Sequence, residues 1–282
     1  MAAGGAGEAA APSGTGERAR VILPCYDEAE TFADVVARAL AAAPEADLLV
    51  IDDASRDGSG RIADELAERD PRVSVLHRPA KLGLGSAYIA GFRRALDGGY
   101  RWAGEMDADG SHLPEELPGL LEAARGAGLV LGARWVPGGR IVGWPWHRRC
   151  ISRTGTWVAR VALRSELHDI TSGFRVIDTG WLRRIDLSRG AAQGYGFQVE
   201  MAWALERLGC PIAEVPITFV ERRAGRSKMT AGIVAEALGL VLRWGWSLRF
   251  GRLRGEAGLM DEAAGGGGGG GQAPRSVPGR RS

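Results

Sequence analysis

The sequence predicts an α/β domain built on a mostly parallel sheet with helices on both faces. From Arg20 onward, short apolar runs of strand length alternate with stretches of helical periodicity. Continuous apolar runs such as "DLLVIDD" suit strands covered on both sides. Polar clusters follow strands rather than helices, as expected where ligands bind beyond the carboxyl ends of an open sheet.

Taken in order, "RVILP" reads as the first strand, and "TFADVVARALAA" as a helix with Phe32, Val35, Val36, Ala39 and Leu40 on one face. "DLLVIDD" is a strand and "SGRIADELAERD" an amphipathic helix. "RVSVLH", the helix "LGSAYIAGFRRALDGG", a strand ending in "GEMD", the helix "PEELPGLLEAARGA" and the strand "LVLGAR" continue the alternation. After about residue 133 it gives way to a Gly/Pro/Trp-rich loop "WVPGGRIVGWPWHRR", a helix, a short strand "SGFRVID" and a return to "PITFVE". No internal repeat interrupts this order.

With 282 residues, 45% of them apolar and 25% charged, the chain has enough apolar content for one generous core. Residues 1–18 and 258–282 lack the apolar content that repays chain entropy and are expected to be disordered, leaving one domain over 19–257. The N-terminus has no apolar export segment, and no run of about 20 apolar residues occurs, so neither secretion nor a membrane span is expected. Cys25, Cys150 and Cys210 are odd in number and lack metal-ligand spacing, which predicts buried free thiols in a reducing cytosol. Arginines crowd residues 134–164 and 222–254, so the second half should face anions. No nucleic-acid-binding module accompanies them, and no nucleic-acid partner is expected.

The chemistry concentrates at strand ends. In "MDADGSH", Asp107 and Asp109 stand one residue apart, and two hard oxygen ligands suit Mg²⁺ or Mn²⁺ bridging the phosphates of a nucleotide. A turn with aspartates bonded to local backbone is the plainer alternative. "DDASRDGS" adds Asp52 and Asp53, acceptors for ribose hydroxyls or a base edge, with Asp57 and Gly58 as a turn or helix entry. "PCYDE" adds Tyr26 and Glu28, an aromatic face and an acceptor suited to a nucleobase. Neither GxGxxG nor GxxxxGK[ST] occurs, so dinucleotide and P-loop readings lack support.

"PCYDE", "DDASRDGS", "KLGLGSA", "MDADGSH", "GARWVPGG", "SGFRVID" and "VPITFVERRAGRSKM" occur in the order seen in family 2 glycosyltransferases. Over roughly residues 19–250 the chain resembles the polyprenol-phosphate (dolichol-phosphate) mannose synthases. "YGFQVEM" and "ITFVERRAGRSKM" are similar to the actinobacterial polyprenol monophosphomannose synthase catalytic domain. The resemblance implies a GT-A-like nucleotide-sugar-binding sheet and an inverting transfer of mannose from GDP-mannose to a polyprenyl monophosphate. It places Pro24, Tyr26, Glu28 and Asp53 around guanosine, Lys81 in the donor site, and Asp107, Ala108 and Asp109 at the diphosphate and its metal. It places the acceptor phosphate among Arg134, Arg148 and Ser152, with Arg222 and Lys228 on a mobile loop over the site; Asp109, Arg222 and Lys228 are the expected catalytic residues. Two positions depart from the pattern: Asp27 stands where many relatives have asparagine, and Ser111 where an archaeal-type relative has a glutamine as third metal contact. A hydroxyl can bind metal directly or through water, which keeps Ser111 in the candidate metal set.

The residue chemistry agrees. A leaving nucleoside diphosphate needs a divalent cation against its developing charge. A phosphate monoester is already ionised at neutral pH, so no strong general base is required, and the arginines serve to hold two anions that repel each other. His112 is accordingly read as structural rather than as an acid/base. On the helix at about 230–250, Ile233, Ala237, Leu240, Val241, Trp244 and Leu248 form an apolar stripe followed by Arg249, Arg252 and Arg254. Core packing and an interfacial anchor both suit that pattern. The expected location is the inner face of the cell membrane, peripherally held, with room for a separate membrane-protein partner. Three rivals are the same fold using UDP-glucose, a nucleotidyltransferase, and a non-catalytic membrane-surface protein. The acidic "PCYDEAE" after the first strand argues against the second.

Overall fold

The computed structural model describes residues 17–188, 195–222 and 231–250. The chain runs β1 (Ala19–Cys25), α1 (Ala29–Ala42), β2 (Ala46–Asp52), α2 (Ser59–Arg69), β3 (Val73–His77), α3 (Leu84–Asp97) and β4 (Trp102–Glu105). A 3₁₀ turn, Pro114–Glu116, leads into α4 (Leu117–Ala123), followed by β5 (Leu129–Ala133), β6 (Arg140–Val142), α5 (Trp146–Leu163), β7 (Arg175–Asp178) and α6 (Thr179–Leu182). Then come α7 (Tyr195–Arg207), β8 (Ile212–Pro216), β9 (Thr218–Val220) and α8 (Ala231–Phe250).

Seven strands form the main sheet in the order β3-β2-β1-β4-β7-β5-β8. All neighbours are parallel except β7, which is antiparallel to both β4 and β5. The strand order reverses between β1 and β4, and a crevice at such a switch point is where an open α/β sheet binds ligands. The loops after β1, β2 and β4 therefore meet at one edge.

Strand alternation divides the core into two layers. Val21, Leu23, Leu48 and Val50 pack with Phe32, Val35, Val36 and Ala39 of α1 on one face. Ile22, Leu49 and Ile51 pack with Tyr88 and Phe92 of α3 and with α7 on the other. Each fully buried side chain of this kind contributes roughly 1.5–3 kcal/mol. Gly91 sits where a Cβ would come within 2.6 Å of Ile22, so its lack of a side chain lets α3 lie close on β1.

The expected loop after residue 133 contains β6, which pairs in parallel with β9 as a second, two-stranded sheet. Gly138 (φ +91°) and Gly143 (φ +86°) bracket β6 in a backbone region that L side chains rarely adopt. Arg18, expected in the N-terminal tail, donates from Nη2 to Asp47 Oδ2 at 2.5 Å. Residues 1–16 of that expected tail, and residues 258–282, lie outside the described residues.

On α8, Val241 and Trp244 are buried, and Trp244 stacks on Trp203 of α7 at 5.9 Å. Ile233 and Ala237 of the expected stripe lie outside the described side chains, as do Arg252 and Arg254. Gly245 fits against the Ala162 carbonyl, where a Cβ would approach to 2.7 Å, so α5 and α8 lie side by side. Their outer surfaces expose Trp146, Ile151 and Trp157 on α5 and Leu242 and Trp246 on α8. Cys25 and Cys210 are buried as expected, and burial pushes the Cys210 thiol up to about 12. Cys150 is exposed, contrary to expectation, because it lies on the outward face of α5. Among the described residues no helix is long and apolar enough to cross a membrane.

Candidate active site

Three strand ends build the site. Beyond β1, Asp27 turns the chain with φ +51°, a left-handed conformation that asparagine and aspartate tolerate best, which accounts for an aspartate in the asparagine's place. Its Oδ1 accepts from Arg56 N–H at 2.8 Å. Asp57 accepts from Ala29 N–H at 2.8 Å and from the Ser59 hydroxyl at 2.6 Å, so it serves helix entry, as its spacing suggests. Glu28 N–H donates to Ser59 Oγ at 2.9 Å, leaving its buried carboxylate toward the crevice side, 3.9 Å from Arg222 Nη1. Pro24 and Tyr26 are half-buried beside it, and Lys81 Nζ stands 4.1 Å from the centre of the Tyr26 ring.

At the end of β2, Asp53 N–H donates to Cys25 O at 3.0 Å and ties the first two strand ends together. The Asp53 carboxylate is held by the buried Arg78 guanidinium and accepts Leu82 N–H at 3.2 Å. Arg78 also reaches Ser86 Oγ at 2.7 Å. Asp52 turns away to Ser55 N–H and His77. Arg78 was not anticipated from the sequence; an arginine directly after a strand, facing the "DD" of its neighbour, is the signal that was there to read.

After β4, Gly110 (φ +75°) closes the turn that presents both aspartates. Asp107 is partly exposed; its Oδ1 accepts the Tyr88 hydroxyl at 3.4 Å, and its N–H donates to His112 Nδ1 at 3.1 Å. Asp109 is buried; Oδ1 accepts Ser111 N–H at 2.9 Å, and Oδ2 lies 2.6 Å from Arg222 Nε. The Ala108 carbonyl accepts Thr31 Oγ1 at 3.1 Å. The buried His112 ring stacks on Phe174 at 5.0 Å and meets Phe219 edge-on at 5.4 Å. Burial, with Arg134 and Arg222 nearby, pushes its pKa down to about 4 against the pull of Asp109 and Asp169. It is therefore neutral at physiological pH, an acceptor for backbone rather than an acid/base.

Arg222 comes from far along the chain because β9 runs beside this turn. Val220 N–H donates to Ser111 O at 3.0 Å, and Thr218 N–H donates to the Glu116 carboxylate at 2.8 Å. Phe219 is the hub beneath: Arg134 lies 5.3 Å from its ring and Trp144 5.2 Å. Arg148 lies 4.1 Å over Trp144 and donates to Glu221 at 2.7 Å, with Ser152 one turn further along α5. Arg134 is buried and doubly bonded to Asp169, through Nε at 2.8 Å and Nη2 at 2.7 Å. The structure thus brings Asp109, Glu28, Ser111 and Arg222 together, with Asp107 tied to the same turn through His112 and with Arg134 and Arg148 one aromatic layer away. Lys228, Gly225 and Arg226 lie outside the described residues.

The donor set suits a hard cation. Among the described residues no group of three or more His, Cys, Asp or Glu side chains gathers to hold a metal, so the candidate set is two carboxylates and a hydroxyl. Ser111 Oγ is buried with no hydrogen-bond partner among the described residues, which fits a hydroxyl left for a ligand.

A seven-stranded α/β sheet with a carboxylate pair at its switch point and an arginine against it is the GT-A architecture of glycosyltransferases. Residues 20–186 match the family model described as Glycosyl transferase family 2, and the chain belongs to that family. Over 242 residues it is 53% identical to an undecaprenyl-phosphate mannosyltransferase of Micrococcus luteus, a match covering 86% of this chain and 100% of that one. It is 47% identical to a polyprenol monophosphomannose synthase of Mycolicibacterium smegmatis over 253 residues, 89% of this chain and 96% of the other. A dolichol-phosphate mannosyltransferase of Pyrococcus furiosus is 32% identical over 228 residues, 79% of this chain and 62% of that one. In fold it is similar to glucosyl-3-phosphoglycerate synthase from Mycobacterium tuberculosis in complex with Mn²⁺ and UDP-glucose. That likeness has a TM-score of 0.58 at 20% identity, covering 84% of this chain and 80% of the other.

Proposed function

We propose that the protein transfers mannose, with inversion, from GDP-mannose to a polyprenyl monophosphate, releasing GDP. Relatives named for mannosyl transfer to polyprenyl phosphates support the sugar and the acceptor class. The observation that carries the reading is the Asp109–Arg222 contact at 2.6 Å, which puts a cationic side chain against the carboxylate pair in one crevice. Asp107, Asp109 and Ser111 would hold Mg²⁺ or Mn²⁺, which when bound offsets the charge developing on the diphosphate leaving group. Tyr26, Glu28, Asp53 and Lys81 orient the nucleotide, Lys81 by its charge beside the Tyr26 face. Pro24 and Ala108 line that side.

Arg222, beside Asp109, is assigned to screening the charge of the diphosphate, and Lys228 to the same task. Arg134, Arg148 and Ser152 are assigned to the acceptor phosphate, whose ionised oxygen attacks without a general base. The neutral, buried His112 fits that economy. Arg148 and Ser152 lie on α5, whose outer face exposes Trp146, Ile151 and Trp157 beside Trp246 of α8. Exposed tryptophans with Arg149, Arg153 and Arg243 around them suit docking on an anionic bilayer, where a lipid acceptor would be met. A separate membrane-protein partner would share that face.

The test is to incubate purified protein with radiolabelled GDP-mannose or UDP-glucose and a polyprenyl phosphate, with Mg²⁺, Mn²⁺ or EDTA. Label entering the lipid fraction from GDP-mannose alone, and stopping with EDTA, is the expected outcome. Transfer from UDP-glucose alone would replace the donor, and transfer unaffected by EDTA would remove the metal.

A further inference from the structure

Beneath Asp107 lies a polar floor that the reading above does not use. Gln198, at the start of α7, is 2% exposed, and neither its Oε1 nor its Nε2 has a hydrogen-bond partner among the described residues. Glu105, at the end of β4, is fully buried with both oxygens likewise unpartnered. Its carboxyl is pushed up to about 7 by burial, with Asp107 adding to the rise, against the pull of Arg175 and of the neighbouring Gln198 amide. Arg175 itself is spent on three backbone carbonyls, those of Ser172, Gln198 and Ile170.

Gly173 roofs this floor and is only half-buried. A Cβ there would stand 3.8 Å from Asp107 Oδ2, 3.8 Å from His112 Cε1 and 3.9 Å from Gln198 Nε2. The space left by the missing side chain thus touches at once the carboxylate assigned to the diphosphate and a buried amide with both ends open. Leaving a buried donor or acceptor unsatisfied costs roughly 1–3 kcal/mol, so the amide is suited to a ligand that supplies both partners. In a nucleotide sugar, the group next to the diphosphate is the hexose, whose vicinal hydroxyls each donate and accept.

We propose that the Gln198 amide, reached across Gly173, hydrogen-bonds hydroxyls of the transferred hexose and sets which sugar the enzyme accepts. The proposal rests on the nucleotide-sugar reading above and assigns a specificity residue within it. Gln198 contacts the sugar and not the nucleotide, so its loss should separate two affinities that a merely structural role would move together.

The test is isothermal titration of wild type, Gln198→Ala and Gly173→Ala with GDP-mannose and with GDP, each with Mg²⁺. Both variants are expected to bind GDP within twofold of wild type and GDP-mannose about tenfold more weakly, the loss of roughly one buried hydrogen bond. Gly173→Ala guards against a folding defect at Gln198, since its added methyl makes only ordinary contacts of 3.8–3.9 Å. Wild type should also discriminate against deoxymannose analogues of the donor that Gln198→Ala treats like GDP-mannose. Unchanged GDP-mannose affinity in both variants, or parallel loss of GDP and GDP-mannose, would overturn the proposal. Should wild type bind UDP-glucose in place of GDP-mannose, the donor assignment falls alone, and the same comparison of UDP-glucose with UDP judges Gln198 by the same criteria.

Discussion

Replacing Asp169 by alanine tests the electrostatic core of the site. Its carboxylate is fully buried and accepts three hydrogen bonds from Arg134: the backbone N–H at 2.8 Å, Nε at 2.8 Å and Nη2 at 2.7 Å. Arg134 is itself only 8% exposed at the side chain, so water cannot take over the lost contacts. Removing the carboxylate of such a buried pair costs about 3–5 kcal/mol. In a domain of this size each kcal/mol shifts Tm by about 2–4 °C, so Tm should fall by about 6–20 °C. Calorimetry or circular dichroism with heating reads the shift. In an Arg134→Met/Asp169→Ala double variant the two losses should be markedly sub-additive, because the second change removes the charge the first one stranded. A loss under about 1 kcal/mol in Asp169→Ala, with additive double-variant losses, would refute the reasoning.

Asp109→Ala should lower mannosyl transfer by at least about 10²-fold, because it removes charge placement rather than core packing. Circular dichroism should show the fold intact, with stability down by about 1–2 kcal/mol from the lost Ser111 N–H and Arg222 contacts. Transfer at the wild-type rate would remove Asp109 from the machinery. For pH, His77 is the informative group: hydrogen bonds to Asp64 first, and to Asp52, raise its pKa above the ordinary 6.5 against the opposing effect of burial. A raised histidine pKa gives stability that is fully present below pH 6.5 and is lost as pH rises through the folded value. Urea unfolding midpoints across that range should decline more in wild type than in His77→Gln; equal slopes would assign the pH dependence elsewhere.

The strand ends were legible because their cause is local. Apolar runs and helical periodicity are written in adjacent residues, and the rule that places ligands at the carboxyl ends of strands turns that pattern into a location. "PCYDE", "DDASRDGS" and "DADGSH" do converge at the switch between β1 and β4. Helix α7 was missed because Phe197, Val199, Met201, Ala202, Trp203, Ala204 and Leu205 are all buried, so no polar face gave it a helical period. β6 was missed because three residues are too few to alternate.

Of the two readings of α8, core packing holds at Trp244, while Trp246, two residues on, is exposed. The sequence by itself determined the alternating fold, the carboxylates at the strand ends and the basic second half. Only the tertiary structure decided which charge meets which: Arg78 with Asp53, Asp169 with Arg134, Arg222 with Asp109. Those pairings depend on β9 running beside the turn after β4 and on the segment after α5 passing β5, neighbours in space whose separation along the chain leaves no local pattern to read.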